Sequence, residues 1–267
     1  MPSDGEKLMT RTIAITTTLG FLFISAVPFP ATAGAQIIQL AQQSPAANTA
    51  NTIPFLSPAP PDTGEPTTGA ERGGATRDPI VALVPLIKSA KTQLDMRWGL
   101  TTVDRPTFWF HLPDQLLANH PAEFTLRDGA GKIVYQTKFI TPATAPVTFK
   151  VVVPTTVSPL TVHQPYYWQL AMEIPEVDDR RMITGLIQRV SSSTQLQQQL
   201  TLTKTPLERA VVYARNGIWY DALTLLGNEK QSGRQDSTIT AAWTDLLKQI
   251  QLQGIAAAPI RSLNNEN

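Results

Sequence analysis

The residues best suited to acid–base or metal chemistry near neutral pH are His111, His120 and His163, the three histidines of a 267-residue chain. Their spacing has none of the i, i+4 or short-range patterns that bring ligands to one metal. They read as surface or strand-edge side chains. A hydrolase nucleophile needs a sharp turn such as Gly-x-Ser-x-Gly, which does not occur, and Ser191-Ser192-Ser193 reads as a helix entry or linker. Glu173, Glu176, Asp178 and Asp179 offer the hard oxygens a calcium ion takes. The neighbouring Arg180 and Arg181 neutralise them, so the group reads as a solvated hairpin tip. No spacing sets two carboxylates across a cleft as a glycosidase requires. Cysteine is absent, which excludes disulfides, thiolate ligands, a catalytic thiol and lipid attachment at cysteine. The expectation is a chain with no catalytic, cofactor-binding or metal-binding residue and no enzymatic activity.

The aromatic residues raise a different question. If Phe108, Phe110, Phe124, Tyr135, Phe149 and Trp168 fill one core, then Trp109, Tyr167, Trp219 and Tyr220 exceed what a single inner face can hold. They either cover a junction between helices and sheet or form a partner-binding patch.

Composition narrows the partners. Hydrophobic residues make up 42% and the formal net charge is +1, with 22 Lys and Arg spread along the chain. Nucleic acid is therefore not an expected partner, because phosphate binding needs concentrated positive charge. Anionic membrane surfaces are equally unsupported. The 22 prolines against 15 glycines fit strand-flanking turns and an unstructured segment.

The positioning elements follow in chain order. Residues 1–35 have the order of a secretory signal peptide: Lys7 and Arg11, the apolar run Ile13 to Val27, then small-residue motifs ending at Ala33 and Ala35. The apolar run is shorter than the roughly 20 residues a membrane span needs. Residues 36–79 are rich in Pro, Ala, Thr, Gly and Gln and read as a disordered tether; composition favours a solvated chain, with transient docking of the small apolar groups at 37–40 and 53–56 as the alternative.

Residues 80–190 predict an antiparallel β-sandwich of about eight short strands. Strands are predicted at 80–84, 100–103, 107–112, 122–127, 132–140 and 148–153, most flanked by proline. The turn Asp128-Gly129-Ala130-Gly131 makes 122–140 a hairpin. A second hairpin spans Pro165 to Val190. Its first strand alternates, with Tyr166, Trp168, Leu170, Met172 and Ile174 on one side. Its second, Met182 to Val190, is apolar on both faces and so predicts a position inside a sheet.

After Val190 the period changes to 3.6. Thr205-Pro206-Leu207-Glu208 is a capping box with proline at the first helical position, and Asn216-Gly217 is a left-handed stop. Further helices are predicted from Ile218 to Leu226, ended by Gly227, and from Thr238 to Leu252. These form a helical unit, 191–255, packed on the sandwich, with a flexible tail at 256–267.

Three resemblances accompany this reading. Arg105-Pro106-Thr107-Phe108 entering a strand, a hairpin with a basic alternating strand, and Tyr166-Tyr167-Trp168 later resemble immunoglobulin or fibronectin type III domains. Ala210, Tyr213, Gly217, Trp219, Ala222 and Leu226 resemble one tetratricopeptide repeat, short of the three that usually stand alone. Ala82-Leu83-Val84-Pro85, Pro106 to Pro113, Gly185 to Val190, Thr205 to Ala210 and Gly217 to Leu223 together resemble the cyanobacterial family called domain of unknown function 928, over roughly residues 75–255. That resemblance implies an exported protein with no assigned activity. Members of the family carry cysteines near the positions of Pro79 and Glu173, which this chain lacks.

The expected function is a non-enzymatic interaction or scaffold protein, exported to the periplasm or cell envelope or beyond it, with an envelope or secreted protein as partner. It would have no membrane insertion after signal removal, and the sequence leaves its oligomeric state open. The alternative is a carbohydrate- or peptidoglycan-associated binding module or weak hydrolase, using the aromatics and His111 with Asp114. Mass spectrometry of the exported chain should show loss of residues 1–33 or 1–35; a mature chain still starting at Met1 or Met9 overturns the signal-peptide reading.

Overall fold

The computed structural model describes residues 53–60, 80–89, 93, 95–174, 179–233 and 236–263. Residues 1–35, read as a signal peptide, most of the segment read as a tether, and residues 175–178 of the hairpin tip lie outside them. Ten strands are described: β1 (Val81–Ala82), β2 (Leu86–Lys88), β3 (Asp95–Thr101), β4 (Thr107–Leu112), β5 (Pro121–Arg127), β6 (Ile133–Ile140), β7 (Val147–Val152), β8 (Pro165–Ile174), β9 (Asp179–Arg189) and β10 (Ile260–Arg261). Four helices follow β9: α1 (Thr194–Thr201), α2 (Pro206–Arg215), α3 (Trp219–Gln231) and α4 (Ser237–Lys248).

The strands form two sheets, ordered β1-β4-β7-β10 and β2-β3-β9-β8-β5-β6. Their inner faces share one core, in which Phe108 and Phe110 of β4 meet Phe124 of β5 and Trp168 of β8. The arrangement is sandwich-like but not antiparallel throughout, because β3 runs parallel to β9 and β10 parallel to β7. A parallel pair needs a long connection and leaves no local turn signal, so neither pairing is readable from sequence.

The two predicted hairpins form. Between β5 and β6 the Asp128 carboxylate accepts from the N–H groups of Ala130 and Lys132, both at 3.0 Å, and Gly131 takes φ +81°. In β8 the predicted inward side chains are buried: Tyr166, Trp168, Leu170, Met172 and Ile174. β9 lies between β3 and β8 with Leu186 and Ile187, which face opposite sides, both buried.

Local signals also set the helix ends. Thr205 accepts from the Glu208 N–H at 3.1 Å while the Glu208 carboxylate accepts from the Thr205 N–H at 3.2 Å. After α2, Gly217 takes φ +75°, and the N–H groups of Gly217 and Ile218 close on the carbonyls of Ala214 and Tyr213. Gly227, predicted to end a helix, instead lies inside α3. Its missing side chain makes room for Trp109, since a Cβ there would fall 2.6 Å from the indole. The expected tail also contributes to the fold: Ala256 is buried, the Pro259 carbonyl accepts from the Thr148 N–H at 2.8 Å, and β10 joins a sheet.

This close approach gives a test. Alanine ordinarily stabilises a helix interior by up to about 1 kcal/mol over glycine. At Gly227 the clash with Trp109 should reverse the sign, so Gly227→Ala is expected to lower the thermal midpoint; a raised midpoint would contradict the packing.

Candidate functional site

The residues singled out from sequence are mostly used inside the fold. Trp109 points from β4 toward the helices, edge-on to Trp243 of α4 at 6.0 Å, and its Nε1–H donates to the Thr224 hydroxyl at 3.2 Å. The Lys150 ammonium sits 5.3 Å above the Trp109 ring, and burial lowers its pKa. Trp219 donates from Nε1 to the Leu83 carbonyl at 2.8 Å. The Tyr220 hydroxyl accepts from Trp168 Nε1 at 2.9 Å and donates to the Leu186 carbonyl at 3.4 Å; burial pushes its pKa far above the ordinary phenol value.

Trp109, Trp219 and Tyr220 are at most 1% exposed; Trp109 and Tyr220 lie in the helix–sheet junction, and Trp219 is covered in part by the Phe55 ring. Both faces of β4 are covered, one by the second sheet and one by helices, which is why the surplus of aromatics is only apparent. Tyr167 is not brought to the other three. It is half-buried on the outer face of β8, opposite the face from which Trp168 reaches Tyr220.

A feature missed in the sequence joins these residues. Asp221, next to Tyr220, is buried and accepts from the hydroxyls of Thr101 at 2.6 Å and Thr102 at 2.5 Å and from the Thr102 N–H at 3.2 Å. Burial pushes its pKa up, and these hydrogen bonds pull it back only in part.

The histidines are equally separate. His111 is 2% exposed, with Nδ1 3.2 Å from the Thr148 hydroxyl, and burial lowers its pKa to about 4. His111 thus faces the Thr148 hydroxyl within the fold. His120 is buried at the start of β5, and His163 takes φ +63° in the loop before β8. Among the described residues no group of three or more His, Asp or Glu side chains is placed to hold a metal. Of the acidic tip, Glu176 and Asp178 lie outside the described residues, and Glu173 is paired in register with Arg180 across the hairpin.

The surface concavities are elsewhere. One groove of about 310 Å³ crosses the outer face of the larger sheet, lined by Glu123, Lys138, Phe139, Glu173 and Arg180. A second, of about 400 Å³, opens along one side of the sandwich between β6 and β7, lined by Tyr135, Thr137, Phe139, Lys150 and Val151 and by Ser262 and Leu263, just after β10. Among the described residues β6 is a sheet edge, and β10 pairs with β7 at Thr148 and Phe149. The Thr141 N–H donates to the His120 carbonyl at 2.9 Å, which sets the ladder's alternation. Ala122 with Phe139 and Phe124 with Thr137 are then the bonded pairs, and Gln136 and Lys138 direct their N–H and C=O groups away from β5.

Comparison with known proteins places the chain. The family model Domain of Unknown Function (DUF928) matches residues 67–260. The chain belongs to that family. No curated protein matches it. Among solved structures, the crystal structure of the PmoD soluble domain from Methylocystis sp. ATCC 49242 (Rockwell) is similar at 11% identity, covering 40% of this chain and 90% of that one. The TM-score of that match is 0.26. No described helix of the DUF928 chain is long and apolar enough to cross a membrane.

The two buried titratable groups predict opposite pH dependences. His111 favours its neutral form in the fold, so stability should fall as pH drops from 6.5 toward 4, by about 2 kcal/mol between pH 7 and pH 5. Asp221 favours its protonated form, so its contribution declines as pH rises above 3.8. Denaturant titrations of the wild type and His111→Gln should show the pH 7 to 5 loss in the first and not in the second; equal losses would exclude His111 as the cause.

Proposed function

We propose that this DUF928 protein is a non-enzymatic interaction protein, exported to the periplasm or cell envelope, that takes an extended polypeptide segment along the open side of its sandwich. The observation that carries the reading is the β6 edge. Gln136 and Lys138 present outward-directed backbone donors and acceptors beside a groove with Tyr135, Phe139 and Val151 along it. A strand added there gains ladder hydrogen bonds from the edge and places alternate side chains in the groove, the ordinary mode of β-augmentation. Export is supported by the signal-peptide order of residues 1–35, and the chain's motifs resemble those of cyanobacterial members of the family.

The test is cross-linking of the mature protein in an envelope extract, followed by mass spectrometry. Gln136→Pro removes an outward donor without breaking the β5–β6 ladder, so it should abolish capture of a polypeptide partner that Gln136→Ala retains. Capture unchanged by Gln136→Pro, or turnover of a peptidoglycan or glycan substrate by the purified protein, would overturn the proposal.

A further inference from the structure

Residues 53–60, read from sequence as part of a solvated tether, are placed against the helical unit. The segment Ile53-Pro54-Phe55-Leu56 alternates as an extended chain: Ile53 is 2% exposed and Phe55 half-buried, while Pro54 and Leu56 face solvent. Phe55 meets the Trp219 ring edge-on at 4.8 Å. The Leu56 N–H donates at 3.2 Å to the Ala214 carbonyl at the C-terminus of α2, which also accepts from the Gly217 N–H, and the Ile53 N–H donates to the Asp245 carboxylate of α4. Gly217 lets the segment approach, since a Cβ there would lie 2.8 Å from the Leu56 carbonyl oxygen and 3.5 Å from Pro58.

The groove and its occupant have different standing in the chain. Ala214, Gly217, Trp219 and Asp245 lie inside the family match at 67–260, whereas residues 53–58 lie before it. The segment is set between stretches rich in Pro, Ala, Thr and Gly that have no apolar periodicity, and its anchors are the short series Ile53, Phe55 and Pro58. That is the form of a linear motif seated on a domain and not of an element of the domain's own core.

We propose that the groove between the α2–α3 turn and α4 is a peptide-binding site for extended segments of the pattern Ile-Pro-Phe-Leu-x-Pro, occupied in cis by Ile53–Pro58. It is distinct from the β6 edge. Tethering gives the resident segment an effective concentration in the millimolar range, so it excludes the same peptide offered from solution. Specificity comes from the aromatic contact with Trp219, the backbone bond to Ala214 and the absence of a side chain at Gly217.

The experiment titrates a labelled peptide of residues 51–60, Asn-Thr-Ile-Pro-Phe-Leu-Ser-Pro-Ala-Pro, into three forms of the full chain and follows anisotropy. The variant Ile53→Ser/Phe55→Ser, with its cis segment disabled, should bind the peptide saturably and one to one, at least tenfold more tightly than the wild type. Adding Gly217→Asn should abolish binding, because asparagine tolerates the left-handed turn but its Cβ meets the Leu56 carbonyl. Circular dichroism checks that each variant is folded. Three results would overturn the proposal: no saturable binding to a folded double variant, equal binding by wild type and double variant, or loss of the fold when the segment is disabled. The last would make the segment a structural strut. None of these depends on Gln136, so failure here and failure at the β6 edge are distinguishable.

Discussion

The first turn of α3 fixes the relation between helices and sheets, and its central interaction is the buried carboxylate of Asp221 on the end of β3. An isolated buried carboxylate costs several kcal/mol, and hydrogen bonds to a charged group return about 1.5 to 3 kcal/mol each. The hydroxyls of Thr101 and Thr102 and the Thr102 N–H supply part of that offset, and only in one placement of the helix. The two preceding residues hold other parts of the protein: Tyr220 engages Trp168 and the Leu186 carbonyl in the central hairpin, and Trp219 engages the Leu83 carbonyl beside β1. Three consecutive side chains thus tie three separate regions of strand to one helix end. The helical unit cannot shift on the sandwich without unpairing buried polar atoms.

That arrangement requires small residues opposite large ones. A Cβ at Gly99 would fall 2.9 Å from the Tyr220 ring, and one at Gly185 would fall 2.2 Å from Trp168. With Gly227 beneath Trp109, glycine opposes an indole or phenol at each closest approach of ring and backbone. These positions use the missing side chain and not unusual dihedral freedom. A ring displaced at any of them would also lose a hydrogen bond from a buried N–H or O–H, so packing and polar satisfaction are coupled.

What was legible in the sequence is what short-range chemistry determines. The Thr205 capping box, the Gly217 stop, the Asp128 turn and the alternation of β8 each depend on residues within a few positions of one another. The parallel β3–β9 pairing, the two-residue β10 and the role of Gly227 depend on partners far away in the chain, and no local pattern encodes them. The aromatics illustrate the same limit for the site. Trp109, Trp219 and Tyr220 have the composition of a binding surface, and only long-range packing, of α3 on the sheets and of Phe55 on Trp219, decides that they are interior. At Ile53–Pro58 the sequence shows only a small apolar group in a stretch whose composition favours solvent, and the partners of its anchors, Trp219, Ala214 and Asp245, are far away in the chain.

The energetics of that segment explain how it can dock and yet exchange. Fixing the backbone of Ile53 to Leu56 costs roughly 4 to 8 kcal/mol at ~1 to 2 kcal/mol per residue. Burying the Ile53 side chain and much of Phe55 returns about 3 to 5 kcal/mol, and the two N–H bonds to Ala214 and Asp245 add about 1 to 3 kcal/mol. Gain and cost nearly cancel, so the short motif has little affinity to spare. Tethering within one chain tips the balance by reducing the entropy lost on association. The core aromatics are in the opposite regime, each interlocked with neighbours in both layers. Exchange therefore belongs at the groove beside Gly217, where a domain contact is made by a segment outside the domain.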